Sequence, residues 1–183
     1  MKKELRKKLK ACRRKISNKS LCDSKICNYL TESNLFKNAD TILFYAALED
    51  EINIDECINI ALLQGKKAAL PVCLDDNGNM KFYYINSLTD IKTGHFGVRE
   101  PDTCICREVT DFSGSICIVP AIAYDRKGYR LGYGKGYYDR FLENFSFISV
   151  GLCYNELIVD VLPLGEYDIP VDCIITQDGM LTV

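Results

Sequence analysis

The sequence holds one histidine, His95, in 183 residues, and no apolar run near the roughly 20 residues that span a bilayer. The second absence excludes a helical membrane span and points to a soluble protein. The first leaves little for a metal cluster, because Cys104 and Cys106 form the only tight cysteine pair and further close-spaced ligands are wanting. There is no apolar signal segment, so the ten cysteines are expected as reduced thiols of a cytoplasmic protein, not as a disulfide framework. Internal repeats, low-complexity tracts and interdomain linkers are also missing. One domain over residues 1–183 is the expectation, and 48% hydrophobic content is enough for its core.

Charge is nearly balanced at -2, but unevenly placed. Nine of the 23 Lys and Arg lie in the first fifteen residues, with Glu4 the only acid among them, and the remainder is acidic. Leu5, Leu9, Cys12 and Ile16 recur at helical spacing within that basic stretch, which predicts an amphipathic helix docked by its apolar face. Its cations suit nucleic acid, the phosphates of a nucleotide, or plain solvation, and composition does not separate these.

A second helix is expected over Asp23–Thr31, with Ile26, Tyr29 and Leu30 inward. Thr41–Leu48 reads as a strand, and Asn53 and Glu56 stand at capping-box spacing before a helix stopped by Gly65. "KKAALPV" and "MKFYYI" flank Asn77-Gly78, a hairpin signal. "GHFGVREPDT" reads as an ordered loop. Ser115–Asp125 is a buried strand, "YYDRFLENF" a helix with Tyr138, Phe141, Leu142 and Phe145 inward, and "FISVGLCY" and "DCIITQ" two further strands. Strands alternating with helices imply an α/β fold: a mostly parallel central sheet with helices on both faces and an antiparallel hairpin extension.

Between that last long strand and its helix runs "RLGYGKGYYDR", Arg130 to Arg140, with Gly132, Gly134 and Gly136 at every second position. Bare backbone at a helix N-terminus can converge N–H groups on an anion, and Arg130 and Lys135 add charge. Phosphate is the natural guest, although glycines alone also make flexible turns. The spacing fits neither a Rossmann loop nor a Walker loop. Asp139 could meet Mg²⁺ beside the phosphates, with Asp168 as a second carboxylate, or could simply cap its helix. Glu51 ends an acidic run with Glu49 and Asp50, and pattern alone favours a solvated loop. His95 is a candidate base, but a lone loop histidine usually is not one.

Val119–Leu142, "VPAIAYDRKGYRLGYGKGYYDRFL", resembles the signature of the 5-formyltetrahydrofolate cyclo-ligase family. Lys2–Arg6 as K-x-x-L-R, "EINI", "GKKAALP", "GVREP" and "YDIPVDCIIT" match the same family in order along nearly the whole chain. The resemblance implies an ATP-dependent, Mg²⁺-dependent conversion of 5-formyltetrahydrofolate to 5,10-methenyltetrahydrofolate, by phosphorylation of the formyl oxygen and closure by N10. Carried onto matching positions, ATP would meet Lys2, Lys3, Glu4, Leu5 and Arg6, and also Arg130, Leu131, Gly132, Tyr133, Gly134, Lys135, Gly136, Tyr137 and Tyr138. The folate would meet Ala46, Glu51 and Tyr133 to Tyr137; Lys135, Arg130 and Tyr137 would serve the chemistry; Asp139 and Asp168 would hold Mg²⁺. Two departures from the family pattern are Leu157, where many members have glutamine, and Tyr167, where many have histidine. The expected partners are the small molecules ATP and 5-formyltetrahydrofolate, not a membrane or nucleic acid, and a monomer is the expected state. The rival expectations are a non-catalytic relative that binds RNA through the basic helix, and a phosphosugar isomerase of similar sheet.

Overall fold

The computed structural model describes residues 1–94, 97–145 and 147–183. His95, the candidate base, lies outside them. Three helices come first: α1 (Lys2–Arg13), α2 (Lys19–Glu32) and α3 (Asn34–Asn38). Strand β1 (Thr41–Leu43), α4 (Asp55–Leu63) and β2 (Lys67–Cys73) form a parallel crossover, and β3 (Met80–Ile85) returns antiparallel along β2. A small ribbon of β4 (Ile91–Thr93) and β5 (Arg99–Pro101) follows. Then come β6 (Ser115–Val119), β7 (Ala123–Asp125), β8 (Arg130–Leu131), α5 (Tyr137–Asn144), β9 (Ile148–Leu152), β10 (Ile158–Val159), β11 (Cys173–Thr176) and β12 (Gly179–Thr182). No described helix is long and apolar enough to cross a membrane.

The main sheet runs β12-β11-β9-β6-β1-β2-β3, with the five inner strands parallel and both edges antiparallel. Strands β1 and β6 are buried along their whole length, as parallel strands covered on both faces must be, whereas the edge strand β12 alternates half-buried and exposed residues. From β1 the chain steps one way across the sheet to β2 through α4; from β6 it steps the other way to β9 through α5. Crossovers of this kind are right-handed, so opposite steps put α4 and α5 on opposite faces. The reversal falls between β1 and β6, and their carboxyl ends diverge into a crevice.

Helix α5 docks through Phe141, whose ring lies 4.8 Å from that of Phe82 on β3 and 5.5 Å from Phe112. Helix α1 ends at Arg13, which is buried where Cys12 was expected to be; Cys12 is exposed and Ile16 lies past the helix. Helix α2 starts four residues before the expected Asp23, and its inward face holds Asp23 and Cys27 beside Ile26 and Leu30, so Tyr29 turns outward.

Several expected elements change length for local reasons. Strand β1 stops at Leu43, and the chain beyond it is irregular as it enters the crevice. The continuous strand expected over Ser115–Asp125 breaks at Pro120, which has no N–H to give a ladder; β7 joins a separate sheet with β10 and β8. The loop expected in "GHFGVREPDT" supplies β5. The β2–β3 turn is longer than two residues: Gly78 takes φ 92°, while Asp75 Oδ1 accepts from the amides of Asn77 and Asn79. Asn53 accepts from the Asp55 amide at 2.9 Å but is not the cap residue of α4, which is Ile54. Helix α5 ends before Phe145, which is partly exposed.

Gly151 shows how tightly the second sheet sits on the first. A Cβ there would stand 2.6 Å from Cζ of Tyr124, a fully buried ring whose hydroxyl donates to the Val119 carbonyl at 2.8 Å. We expect Gly151→Ala to destabilise the fold by about 1–3 kcal/mol, as overpacking of a rigid core does, measured by urea unfolding of the two proteins side by side.

Candidate functional site

The crevice at the strand reversal is a cleft of about 490 Å³. Its walls are Lys2 and Arg6 of α1, Tyr45, Ala46, Leu48 and Glu51 beyond β1, Pro120 beyond β6, the loop from Arg130 to Asp139, and Asp168. Elements far apart in sequence meet here because the reversal leaves no strand to fill the gap.

At one end the glycine loop is braced from three sides. Arg130 is nearly buried; it donates to the Ile169 carbonyl at 2.7 Å and to Asp139 Oδ1 at 2.6 Å. Arg6 donates from Nε to the Gly132 carbonyl at 2.8 Å, docking α1 on the loop. Gly134 and Gly136 have φ 102° and 72°, left-handed values that a side chain would strain, and a Cβ on Gly134 would stand 3.2 Å from the Arg6 guanidinium. Gly136 is the residue before α5, so the helix opens its unpaired amides at Tyr137 to Asp139 beside the cleft. Lys135 reaches only Asp76, at 3.1 Å with both side chains more than half exposed, a pair worth little and easily exchanged for another anion. Tyr137 donates to the Asp75 carbonyl at 2.6 Å, and burial, with nearby Cys73 and acids, pushes its phenol up to about 12. It stays a neutral donor.

Helix periodicity divides the N-terminal candidates. Lys2 and Arg6, one turn apart, face the cleft, whereas Lys3 and Glu4 are exposed and line none of it, and Leu5 packs on the core. Lys2 pairs with Asp168 Oδ2 at 2.6 Å, and the Gly165 amide donates to the same oxygen at 2.6 Å. Burial works against ionised Asp168, but these two groups hold its carboxyl below the usual range. Tyr167 is exposed and Leu157 is buried in the core, so the two departures touch neither carboxylate through a side-chain hydrogen bond of the described residues.

Asp139 Oδ1 takes both Arg130 and the Ile169 amide, and Asp168 Oδ2 takes both Lys2 and the Gly165 amide. Each carboxylate thus keeps its second oxygen without a hydrogen-bond partner among the described residues, in the wall of one cleft. That donor set fits Mg²⁺, which accepts one or two carboxylates and completes its shell with water and phosphate oxygens. Among the described residues no three His, Cys, Asp or Glu converge as a metal cluster.

At the other end stands Glu51, only 5% exposed. Pattern favoured a solvated acidic loop, but the side chain folds back so that Oε2 accepts from the Leu48 amide at 2.9 Å. Burial raises its carboxyl above the ordinary value, while the Leu48 amide, the Tyr133 hydroxyl beside it and the charge of Arg13 pull the other way. The structure therefore brings Ala46, Glu51, Lys2, Arg6, Arg130 to Asp139 and Asp168 together. Unforeseen wall residues come from the hairpin and ribbon: Pro71, Cys73, Met80, Arg99 and Glu100. Glu100 is buried and accepts from the Cys73 amide at 3.3 Å, and Arg99 forks onto Asp55 at 2.8 and 2.9 Å. Their only sequence signal was the resemblance in "GVREP".

A carboxyl raised by folding costs stability where it is ionised: the cost is full above its folded value and disappears below the unfolded value near ~4.3. Glu51→Gln keeps an acceptor for Leu48 and removes the charge. Its melting temperature should exceed that of the unmodified protein by about 2–4 °C at pH 8, with the gain closing as pH falls toward 4; a gain independent of pH would show that Glu51 carries no such penalty.

Comparison with known proteins shows the family. A model of the 5-formyltetrahydrofolate cyclo-ligase family matches residues 1–177. A 5-formyltetrahydrofolate cyclo-ligase of Haemophilus influenzae is 34% identical over 139 residues, covering 73% of this chain and 74% of that one. One from Escherichia coli is 29% identical over 143 residues, covering 75% and 78%. The solution structure of 5,10-methenyltetrahydrofolate synthetase from Aquifex aeolicus superposes with a TM-score of 0.86 at 30% identity, over 99% of this chain and 92% of that one. With its glycine loop, its two carboxylates and a family match over nearly its whole length, the chain belongs to the 5-formyltetrahydrofolate cyclo-ligase family.

Proposed function

We propose that this chain, acting as one domain and as a monomer, converts 5-formyltetrahydrofolate to 5,10-methenyltetrahydrofolate at the expense of ATP, with Mg²⁺. The observation that carries the reading is a single cleft with phosphate-binding equipment at one end and a buried acceptor at the other. Lys2 and Arg6, the amides at the start of α5, Arg130 and Lys135 gather positive charge where a triphosphate would lie. Glu51 supplies a buried acceptor for the N–H donors of a pterin, with Ala46 and Tyr133 beside it.

Phosphoryl transfer asks for positioning and charge neutralisation more than for a protein nucleophile. The formyl oxygen attacks the γ-phosphorus and ADP leaves, giving an iminium phosphate; N10 then attacks the formyl carbon, loses its proton, and phosphate departs with the former formyl oxygen. Arg130, fixed by Asp139 and Ile169, offers charge that need not reorganise as the transfer proceeds. Lys135, loosely held by Asp76, can follow the γ-phosphate. Tyr137, a phenol that stays protonated, can donate to the formyl oxygen or the phosphate. Asp139 and Asp168 would hold Mg²⁺, which supplies neutralisation of the phosphate oxygens when bound.

The test follows near-ultraviolet absorbance of methenyltetrahydrofolate when protein meets 5-formyltetrahydrofolate, with MgATP and with EDTA. Asp139→Asn keeps an oxygen for Arg130 and the Ile169 amide while removing the charge. It should lower kcat/KM by about 100-fold or more in a protein that still folds, with a melting temperature lowered by several degrees because buried Arg130 loses its counter-charge. Lys135→Ala should slow turnover and raise KM for ATP by about 10-fold without affecting stability. A folded protein that gives no rise with MgATP, but binds RNA in a salt-sensitive way, would overturn the reading.

A further inference from the structure

Arg13, the last residue of α1, lies outside the cleft yet touches three of the segments that border its folate end. The guanidinium is 4% exposed. It donates to the Ala121 carbonyl at 3.2 Å, just past the end of β6, and to the Tyr133 hydroxyl at 2.8 Å, in the glycine loop. It also pairs with Asp50 Oδ2 at 2.6 Å, one residue before Glu51. Arg13 and Glu51 share the wall of a small internal cavity with Tyr45 and Tyr154. The Lys10 ammonium, three residues earlier, lies 4.3 Å from the centre of the Tyr133 ring.

Burying a guanidinium is costly: both terminal nitrogens of Arg13 are engaged, but its Nε is buried without a hydrogen-bond partner among the described residues, and a protein that needed only a solvated basic helix would have no reason to bear that cost. The use it makes of its forked geometry is specific: three anchors on three separate chain segments, which a point charge such as lysine does not reproduce. Eleven residues of helix separate Lys2 from Arg13, about 16 Å at the helical rise, so α1 spans the cleft from Asp168 at one end to Tyr133 and Asp50 at the other.

We propose that Arg13 is a positioning residue for the folate end of the cleft, holding Tyr133 and the loop that carries Glu51 in the arrangement that receives the pterin. The proposal rests on the assignment of Glu51 and Tyr133 to the folate. Arg13 touches no reacting atom; it acts through the two side chains it fixes. Ion pairing with Arg13 also holds the Asp50 carboxyl below its ordinary range in spite of partial burial, so the anchor stays charged over the working pH range.

The test is a kinetic double-mutant cycle on the full chain with 5-formyltetrahydrofolate and MgATP, using Arg13→Lys, Tyr133→Phe and the double variant. Arg13→Lys keeps the charge but not the fork; it should raise KM for 5-formyltetrahydrofolate about 10-fold, with KM for MgATP changed by less than about 2-fold. The double variant should lose less than the product of the single losses, because both break the same link. If Arg13→Lys does not fold, Asp50→Asn takes its place in the cycle with the same expectations. A folate KM that stays put, a MgATP KM that rises equally, or losses that multiply would each overturn the proposal. Absence of turnover by the unmodified protein would overturn the activity as well, which separates the two failures.

Discussion

The ion pair between buried Arg130 and half-buried Asp139 is the constraint on which the site depends. It closes the ten residues from Arg130 to Asp139 into a loop and, through the Ile169 carbonyl and amide, ties that loop to the segment carrying Asp168. A guanidinium with a 4% exposed side chain must have its donors matched. Once they are matched, the glycines between Arg130 and Asp139 lose the freedom that would otherwise make them a flexible turn. Gly134 and Gly136 then hold positive φ because both ends of the loop are fixed, and the amides at the start of α5 keep one orientation. Glycine supplies the accessible conformation; the ion pair selects it.

Helix α1 completes the enclosure without belonging to the sheet. Its apolar contacts are few, with Leu9 buried and Leu5 half-buried. Its docking relies instead on polar ties to four distant segments: Lys2 to Asp168, Arg6 to Gly132, and Arg13 to Tyr133 beside Gly132, to Asp50 and to Ala121. A helix held mainly by charge-assisted contacts to loops is held only where those loops are already ordered. The order of α1 and of the cleft therefore rise together, and ligands that neutralise the acids or fill the loop alter the balance of both.

Much of the sheet was legible because buried strands advertise themselves as short apolar runs between turn signals, β-branched at Ser115–Val119 and built on Ala, Leu and Val at Lys67–Cys73. What periodicity could not convey was the strand order. The reversal between β1 and β6 depends on pairing across seventy residues, and it is this reversal, not any motif, that brings Ala46 and Glu51 opposite the glycine loop. Arg13 was hidden for a related reason: in the helical pattern it is one more cation in a basic stretch, and only tertiary contacts reveal that it is buried. Pro120 misled in the opposite sense, since its apolar neighbours on both sides suggested one long strand. The loop containing Glu51 looked solvated because three acids stand together, yet they part company in space: Asp50 turns to Arg13 and Glu51 to its own backbone at Leu48.

The site also carries costs that the fold alone would not retain. Burial works against the ionised form of Glu51, and the Tyr138 hydroxyl is buried without a hydrogen-bond partner among the described residues. An unpaired buried polar group costs about 1–3 kcal/mol, and a phenylalanine at 138 would remove that cost with no change of shape. The carboxylates of Asp139 and Asp168 are a different case: 23% of each side chain is exposed, so the oxygen without a protein partner is open to water and carries no such penalty. Structural ion pairs normally use all their acceptor capacity when they can. Carboxylates left with free acceptor capacity in the wall of one crevice, on elements that otherwise pack closely, fit the proposed reading, in which a bound cation and not the fold would take up that capacity.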